Sequence, residues 1–283
     1  MKTNIIYALS TAPFYAKTPH KQFHIDRFEL YTAAISSLTR RAAGDETVMH
    51  CDSRGAEYFR SLGLDDLWDE IKLSVPDDLD GINPKMFWAA GKLFALQATL
   101  GATLMLDTDF IAWRLPKLES ELIAAHREPL AQNIYPSISH FNMRDGYSFD
   151  KVKNYNVAPL NTAFLYINND EFKQYYVERA MAFMKSALPC DDSLTYMVYA
   201  EQRLLAILAE HKNIKADTIL EYEQVYTPQK LYSPQKNYTH IWGAKQIMRD
   251  NAEEQERFCE KCRQRIRADF PKWVHIIDVI ERT

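Results

Sequence analysis

Ala102-Thr103-Leu104-Met105-Leu106-Asp107-Thr108-Asp109-Phe110 decides how this chain reads. Ala102 to Leu106 is a near-continuous apolar run, as expected of a strand covered on both faces. It ends abruptly on two carboxylates one residue apart. Upstream, Asn83 suits a helix N-cap and Pro84 a first helical position. The spacing predicts a helix through Phe87, Ala90, Leu93, Phe94 and Gln97, ended by Gly101. Further back, Ile5–Leu9 reads as a strand reaching Ser10-Thr11, and His24–Leu38 has helical spacing. Thr47–His50 is a second strand, closing on Cys51-Asp52-Ser53. Ala56–Leu62 is a short helix stopped by Gly63, and Glu70–Val75 is a third strand. The β-α-β-α-β-α-β order predicts a mostly parallel central sheet with helices on both faces. In such sheets, ligands bind beyond the carboxyl ends of the strands. Ser10-Thr11, Asp52-Ser53 and Asp107-Thr108-Asp109 would meet there.

Downstream the pattern loosens. Glu119–His126 has the look of a helix. Arg127–Pro159 lacks periodicity but is rich in aromatic residues, including Tyr135, Phe141, Tyr147, Phe149 and Tyr155. A stretch this long is usually functional, or contains short strands. Phe164–Ile167 is another strand, Glu171–Met184 and Thr195–Ala209 are helices, and Asn251–Arg267 is helical.

Composition narrows the function classes. The chain has 283 residues, 47% hydrophobic and 25% charged, which is enough for one large α/β domain and argues against disorder. A net charge of −4 excludes a general nucleic-acid binder, which would be basic. The four cysteines make no disulfide framework, and Cys259-x-x-Cys262 lacks the second half-site that zinc needs. No signal-peptide pattern and no run of about 18–20 apolar residues is found, so a cytoplasmic location is expected. Contact with the cytosolic membrane face is kept open by the C-terminal stretch. There Arg263, Arg265, Arg267, Lys272 and Trp273 precede Val274, Ile276, Ile277, Val279 and Ile280. The alternative is that this stretch packs back on the domain.

Two close carboxylates repel each other, and a hard divalent cation resolves that repulsion through oxygen ligands. Such an ion also reaches substrate phosphates. An isolated Asp-x-Asp is otherwise solvated or caps a helix. The phosphatase type, in which the first Asp is a nucleophile, follows the first strand of its domain; here the pair follows the fourth.

Other blocks add to the pair. Gly91-Lys92-Leu93-Phe94-Ala95-Leu96 precedes it, and Leu160-Asn161-Thr162-Ala163-Phe164-Leu165, Ala200-Glu201-Gln202-Arg203-Leu204-Leu205 and Thr239-His240-Ile241-Trp242-Gly243-Ala244-Lys245 follow in order. Together they resemble GT-A glycosyltransferases, most closely the glycogenin and lipopolysaccharide galactosyltransferase branch. The likeness spans roughly residues 4–250, leaving 251–283 as a helical tail. It implies a Rossmann-like GT-A fold and a metal-dependent transfer of a hexose from a UDP-sugar to a glycan or related acceptor. The implied Mn²⁺ (or Mg²⁺) ligands are Asp107, Asp109 and His240. Ala8, Ser10 and Asp52 would border the nucleoside, and Gly243 and Lys245 would approach the diphosphate. Lys92, or Lys85 seven residues earlier, would hold the donor. Asn161, Glu201 and Gln202 would face the transferred sugar, with the acceptor against the Tyr135–Tyr155 region. Ala163 stands where that branch usually has Gly, and Glu201 where it usually has Asp. Gly243 and Lys245 are also one residue closer together than in its pattern. These departures leave the stereochemistry open and keep a second expectation: a catalytically inactive nucleotide- or glycan-binding protein on the same fold.

Overall fold

The computed structural model describes residues 2–225 and 237–283. Nine strands lie in it: β1 Asn4–Leu9, β2 Thr47–Cys51, β3 Glu70–Leu73, β4 Thr103–Leu106, β5 Phe110–Ala112, β6 Leu122–Ala124, β7 Phe164–Ile167, β8 Ala216–Thr218 and β9 Tyr238–His240. The helices are α1 Ala12–Lys17, α2 Arg27–Ala42, α3 Ser53–Leu62, α4 Ala90–Ala98, α5 Asp170–Ser186, α6 Ser193–Val198, α7 Leu204–His211, α8 Tyr222–Val225, α9 Lys245–Asp250, α10 Ala252–Asp269 and α11 His275–Ile280.

Seven strands form one sheet in the order β3-β2-β1-β4-β7-β6-β8, and β5 pairs with β9 in a separate ribbon. Only β7 runs against the rest of the large sheet. The sheet is thus mostly parallel, as the alternating pattern predicts. Its strands alternate strictly between two cores. Ile5, Tyr7, Leu104, Leu106, Phe164 and Tyr166 face α2, α3, α10 and α11. Ile6, Met105, Leu165 and Ile167 face α4, α5 and α7. The connections through α2 and α3 cover one face, whereas α4 crosses on the other. The strand order therefore reverses direction between β1 and β4, which opens a crevice at their carboxyl ends.

Local signals set several boundaries. Asp52 accepts a hydrogen bond from the Gly55 N–H at 2.8 Å, capping α3, and Gly63 ends that helix with φ 74°. Asn169 and Asp192 cap α5 and α6. Lys173, wholly buried in α5, donates to the Gly101 carbonyl at 2.8 Å and Thr103 Oγ1 at 2.9 Å, tying the helix to the start of β4.

Other expectations are corrected. Asn83 and Pro84 initiate a turn, in which Phe87 N–H donates to the Asn83 carbonyl; α4 starts only at Ala90. Glu119–His126 is not helical. Leu122–Ala124 is paired on both sides, with β7 and with β8, so pairing overrides the helical spacing. The aromatic segment mostly packs inward: Phe141 lies 4.5 Å from Tyr199 and 5.3 Å from Phe183, centroid to centroid, and Phe149 6.3 Å from Phe183. Phe141 is buried and Phe149 half-buried, so these two rings face the core.

The membrane alternative for the tail also meets a structural obstacle. Ile276, Ile277 and Ile280 are buried in the core that α2 shares. Glu281 accepts hydrogen bonds from Arg27 at 2.8 Å and Arg263 at 2.7 Å, and Trp273 lies under the Arg41 guanidinium. Ile276, Ile277 and Ile280 are thus taken up by the domain, while Val274 stays exposed. Cys259 and Cys262 are buried free thiols in the same core, in no metal-binding group among the described residues. No helix of the described residues is long and apolar enough to cross a membrane.

Candidate active site

A cleft of about 610 Å³ opens at the carboxyl ends of β1 and β4. Three chain features converge there. β4 delivers Asp107 and Asp109, with the Asp107 N–H bonded to the Ala163 carbonyl at 2.9 Å. Because β7 is antiparallel, its entry, Asn161-Thr162-Ala163, lies at the same edge. Finally, β9 pairs with β5 so that His240 stands opposite Phe110, and Ile241 N–H donates to the Asp109 carbonyl at 3.2 Å. A residue 131 positions downstream is thereby locked beside Asp109.

The backbone permits a close fit. Gly91, in the first turn of α4, faces Ser10 at the end of β1. A Cβ there would sit 3.1 Å from the Ser10 Cβ, so the missing side chain lets helix and strand close together. Between α6 and α7 the helix widens into a π-turn over Tyr199–Arg203. Such turns re-aim side chains, and here both Glu201 and Gln202 line the cleft.

Charge is concentrated in this cleft. Lys92 Nζ lies 2.6 Å from Asp107 Oδ1, also contacts Glu201 Oε1, and donates to Thr162 Oγ1 at 3.1 Å. Lys245 Nζ lies 2.9 Å from Asp109 Oδ2 and 2.9 Å from Glu29 Oε1. Burial opposes charge on both ammonium groups, but the carboxylates beside them hold both pKa values above the lysine range. Burial likewise opposes charge on Asp109, and Lys245 with His240 more than offsets it, keeping that carboxyl ionised. Burial raises Asp107 despite Lys92, with Asp109 and Glu201 adding to the effect.

His240 Nε2 lies 3.7 Å from Asp109 Oδ1, too far for a hydrogen bond, and its Nδ1 is buried without a partner. Burial drives its pKa down to about 4 against the pull of Asp109, so the ring is neutral at neutral pH and has a lone pair to give. Asp107, Asp109 and His240 each offer a ligand atom, all within 4.8 Å of one another. This group could hold a metal ion. Its oxygen and imidazole donors suit a hard or borderline divalent ion, and no hydrogen bond between the His240 ring and Asp109 would have to be broken to admit one.

The structure brings Ala8, Ser10, Lys92, Asp107, Asp109, Asn161, Glu201, Gln202, His240 and Lys245 to the cleft. Asp52 stands behind it, fully buried, accepting from Thr11 Oγ1 at 3.1 Å and Ser10 Oγ at 3.2 Å; it shapes the loop and does not line the cleft. Gly243 sits in the turn Trp242–Ala244, outside the lining. Lys85 is exposed on the turn before α4 and is not brought in, because the two lysines do not share one helix.

Sequence reading missed Thr162, Glu128 and Trp88, and it placed Tyr135 on the acceptor side without its partner Gln202. Thr162 accepts from Lys92, and Glu128 accepts from Asn161 Nδ2 at 3.1 Å. Tyr135 donates to Gln202 Oε1 at 2.7 Å, and Trp88, 37% exposed, stands at the cleft wall. Thr162 adjoins a residue already chosen and Tyr135 opened the aromatic segment; nothing in the sequence marks Glu128 or Trp88.

Solved structures similar to this chain include a nucleoside-diphosphate-sugar pyrophosphorylase from Vibrio cholerae RC9, at 12% identity and TM-score 0.43, covering 78% of this chain and 93% of that one. The glycosyltransferase GlyE of Streptococcus pneumoniae TIGR4 is similar at 15% identity and TM-score 0.35, over 79% of this chain and 46% of that one. An active-site mutant of LgtC is similar at 13% identity and TM-score 0.35, over 70% and 69%. No curated protein matches the sequence. The model of the family of unknown function DUF6734 matches residues 16–279, nearly the whole chain, which therefore belongs to that family.

Proposed function

We propose that this protein is a metal-dependent glycosyltransferase moving a hexose from a UDP-sugar to a glycan or related acceptor in the cytoplasm. One observation carries the reading: Asp107, Asp109 and His240 form a ligand group in a large cleft at the sheet's switch point, with Lys92 and Lys245 beside it. Asp107, Asp109 and His240 would hold Mn²⁺ or Mg²⁺, which when bound supplies Lewis-acid stabilisation of the charge growing on the leaving diphosphate.

The chain's own groups account for the rest. Ser10 and Ala8 border the nucleoside at the end of β1, and Asp52 acts through Ser10 by holding its hydroxyl. Lys245 offsets diphosphate charge. Asn161 is fixed at both ends, its Nδ2 on Glu128 and its Oδ1 accepting the Ala163 N–H at 3.1 Å, so it presents one orientation to the sugar. Gln202 accepts from Tyr135 through Oε1, which aims its amide nitrogen as a donor. Glu201 is held against Lys92 and Thr162 and fixes the floor of the cleft. The acceptor wall is assigned to Trp88, Leu194 and Val198 together with Tyr135 at the start of the aromatic segment, all of which line the cleft.

Donor hydrolysis tests this reading against an inactive binder of the same fold. UDP-glucose or UDP-galactose incubated with protein and Mn²⁺ is expected to release UDP, and Gln202→Ala is expected to slow release. Metal-dependent UDP binding without release from any UDP-hexose would favour the inactive binder.

A further inference from the structure

We propose that Lys245 is a built-in counter-ion that competes with the divalent cation for Asp109 and yields when a diphosphate takes its ammonium. Metal and nucleotide then bind as a pair. This rests on the nucleotide-sugar reading above.

The two lysines of the cleft are built differently. Lys92 is enclosed by oxygens of Asp107, Glu201 and Thr162, and its side chain is only 11% exposed. Its departure would leave Glu201 buried without a cation, so it stays. Lys245 has two carboxylate contacts, each at 2.9 Å, and its side chain is 26% exposed. Its second partner, Glu29 on α2, is also bound by Arg249 at 2.8 Å, and Arg249 is anchored on Asp26 at 2.8 Å. When Lys245 leaves, Arg249 remains on Glu29. Among the described carboxylates, Asp109 alone loses its cation, and it is the one a metal would take over together with His240.

Chain connectivity fits this exchange. His240 ends β9 and Lys245 begins α9, joined by the short turn Trp242–Ala244. A metal ligand and its competitor therefore come from one segment, both aimed at Asp109. Metal alone would bring a double positive charge beside an ammonium already paired with its ligand. A diphosphate would relieve that repulsion, since its negative charge would accept the ammonium and offset the cation.

The exchange is tested by titrating Mn²⁺ and counting the free ion by its electron paramagnetic resonance signal, with and without UDP. Wild type, Lys245→Gln and Lys245→Arg are compared, with circular dichroism confirming that each is folded. In wild type, UDP is expected to tighten Mn²⁺ binding, and Mn²⁺ to tighten UDP by the same factor. Lys245→Gln is expected to bind Mn²⁺ alone at least about tenfold tighter, with the gain from UDP reduced at least about tenfold. Lys245→Arg should follow wild type. Lys245→Gln binding Mn²⁺ alone no tighter than wild type would overturn the proposal. If wild type and Lys245→Gln bind UDP with the same Mn²⁺ dependence, the nucleotide reading stands and this inference fails. If no form binds UDP, the nucleotide reading fails, while the Mn²⁺-only titration still decides whether Lys245 competes for Asp109.

Discussion

Lys92 holds two carboxylates together, and removing its charge should expose their repulsion. Lys92→Met keeps the length of the side chain and its packing but leaves Asp107 and Glu201 side by side. Both carboxylates contact one ammonium, so their near oxygens are no more than about 5 Å apart, worth about 3 kcal/mol of repulsion at the effective dielectric of a partly buried site. Loss of one partner of a buried pair costs about 3–5 kcal/mol in general. Because Asp107 keeps some contact with solvent, about 3 kcal/mol is the expected loss, a large share of a typical 5–15 kcal/mol total. Urea unfolding followed by tryptophan fluorescence measures it. Lys92→Met/Glu201→Gln removes both charges and should recover about 2 kcal/mol relative to the sum of the single variants. Millimolar Mn²⁺ should stabilise Lys92→Met more than wild type, since the cation replaces the missing charge. Additivity of the two substitutions within about 0.5 kcal/mol would refute the idea that Lys92 couples the two carboxylates.

Two further outcomes follow from other parts of the fold. His50 is buried between Ser74 Oγ at 2.7 Å and Thr99 Oγ1 at 3.3 Å, and burial, with the charge of Lys72, lowers its pKa from 6.5 to about 4. Between those values the unfolded chain takes a proton that the native protein refuses. Stability attributable to His50 is therefore intact above pH 6.5 and falls as the pH drops toward 4, by about 2 kcal/mol at pH 5. His50→Gln should flatten that part of the profile in urea unfolding at pH 7 and pH 5; an unchanged slope would contradict it. Separately, deleting residues 275–283 removes Ile276, Ile277 and Ile280 from the core, worth about 5 kcal/mol or more by area. The truncated chain should melt far lower or aggregate, and the full chain should not sediment with anionic vesicles. Vesicle binding that depends on those residues would restore the membrane reading of the tail.

The first half of the fold is legible because its central strands β1, β2 and β4 are largely buried on both faces. Ile5–Leu9 and Thr103–Leu106 then appear as apolar runs between helical spacings, and each run ends where polar loop residues begin. Short elements defined by distant partners are not legible. Leu122-Ile123-Ala124 is a strand only because β7 and β8 flank it, and β5 and β9 are three residues each, set by pairing across more than a hundred positions. The same limit applies to the site. Asp107 and Asp109 are visible because they interrupt an apolar strand. Glu128 and Trp88 reach the cleft through loop paths that no local pattern encodes. Lys85 shares a face with Lys92 only if Pro84 opens a helix; because residues 84–86 and 88–89 form turns and α4 starts at Ala90, that face does not exist. The aromatic residues between 135 and 155 carry no local sign of which way they face. Phe183, Tyr196 and Tyr199, far along the chain, settle most of them inward.

The central claim is that Asp107, Asp109 and His240 make a metal-dependent nucleotide site. Calorimetric titration of UDP into the protein, with and without Mn²⁺, tests it most directly. Saturable binding that requires Mn²⁺ in wild type and is lost in Asp109→Ala is the expected result. Binding of UDP that ignores Mn²⁺, or survives undiminished in Asp109→Ala, would contradict it.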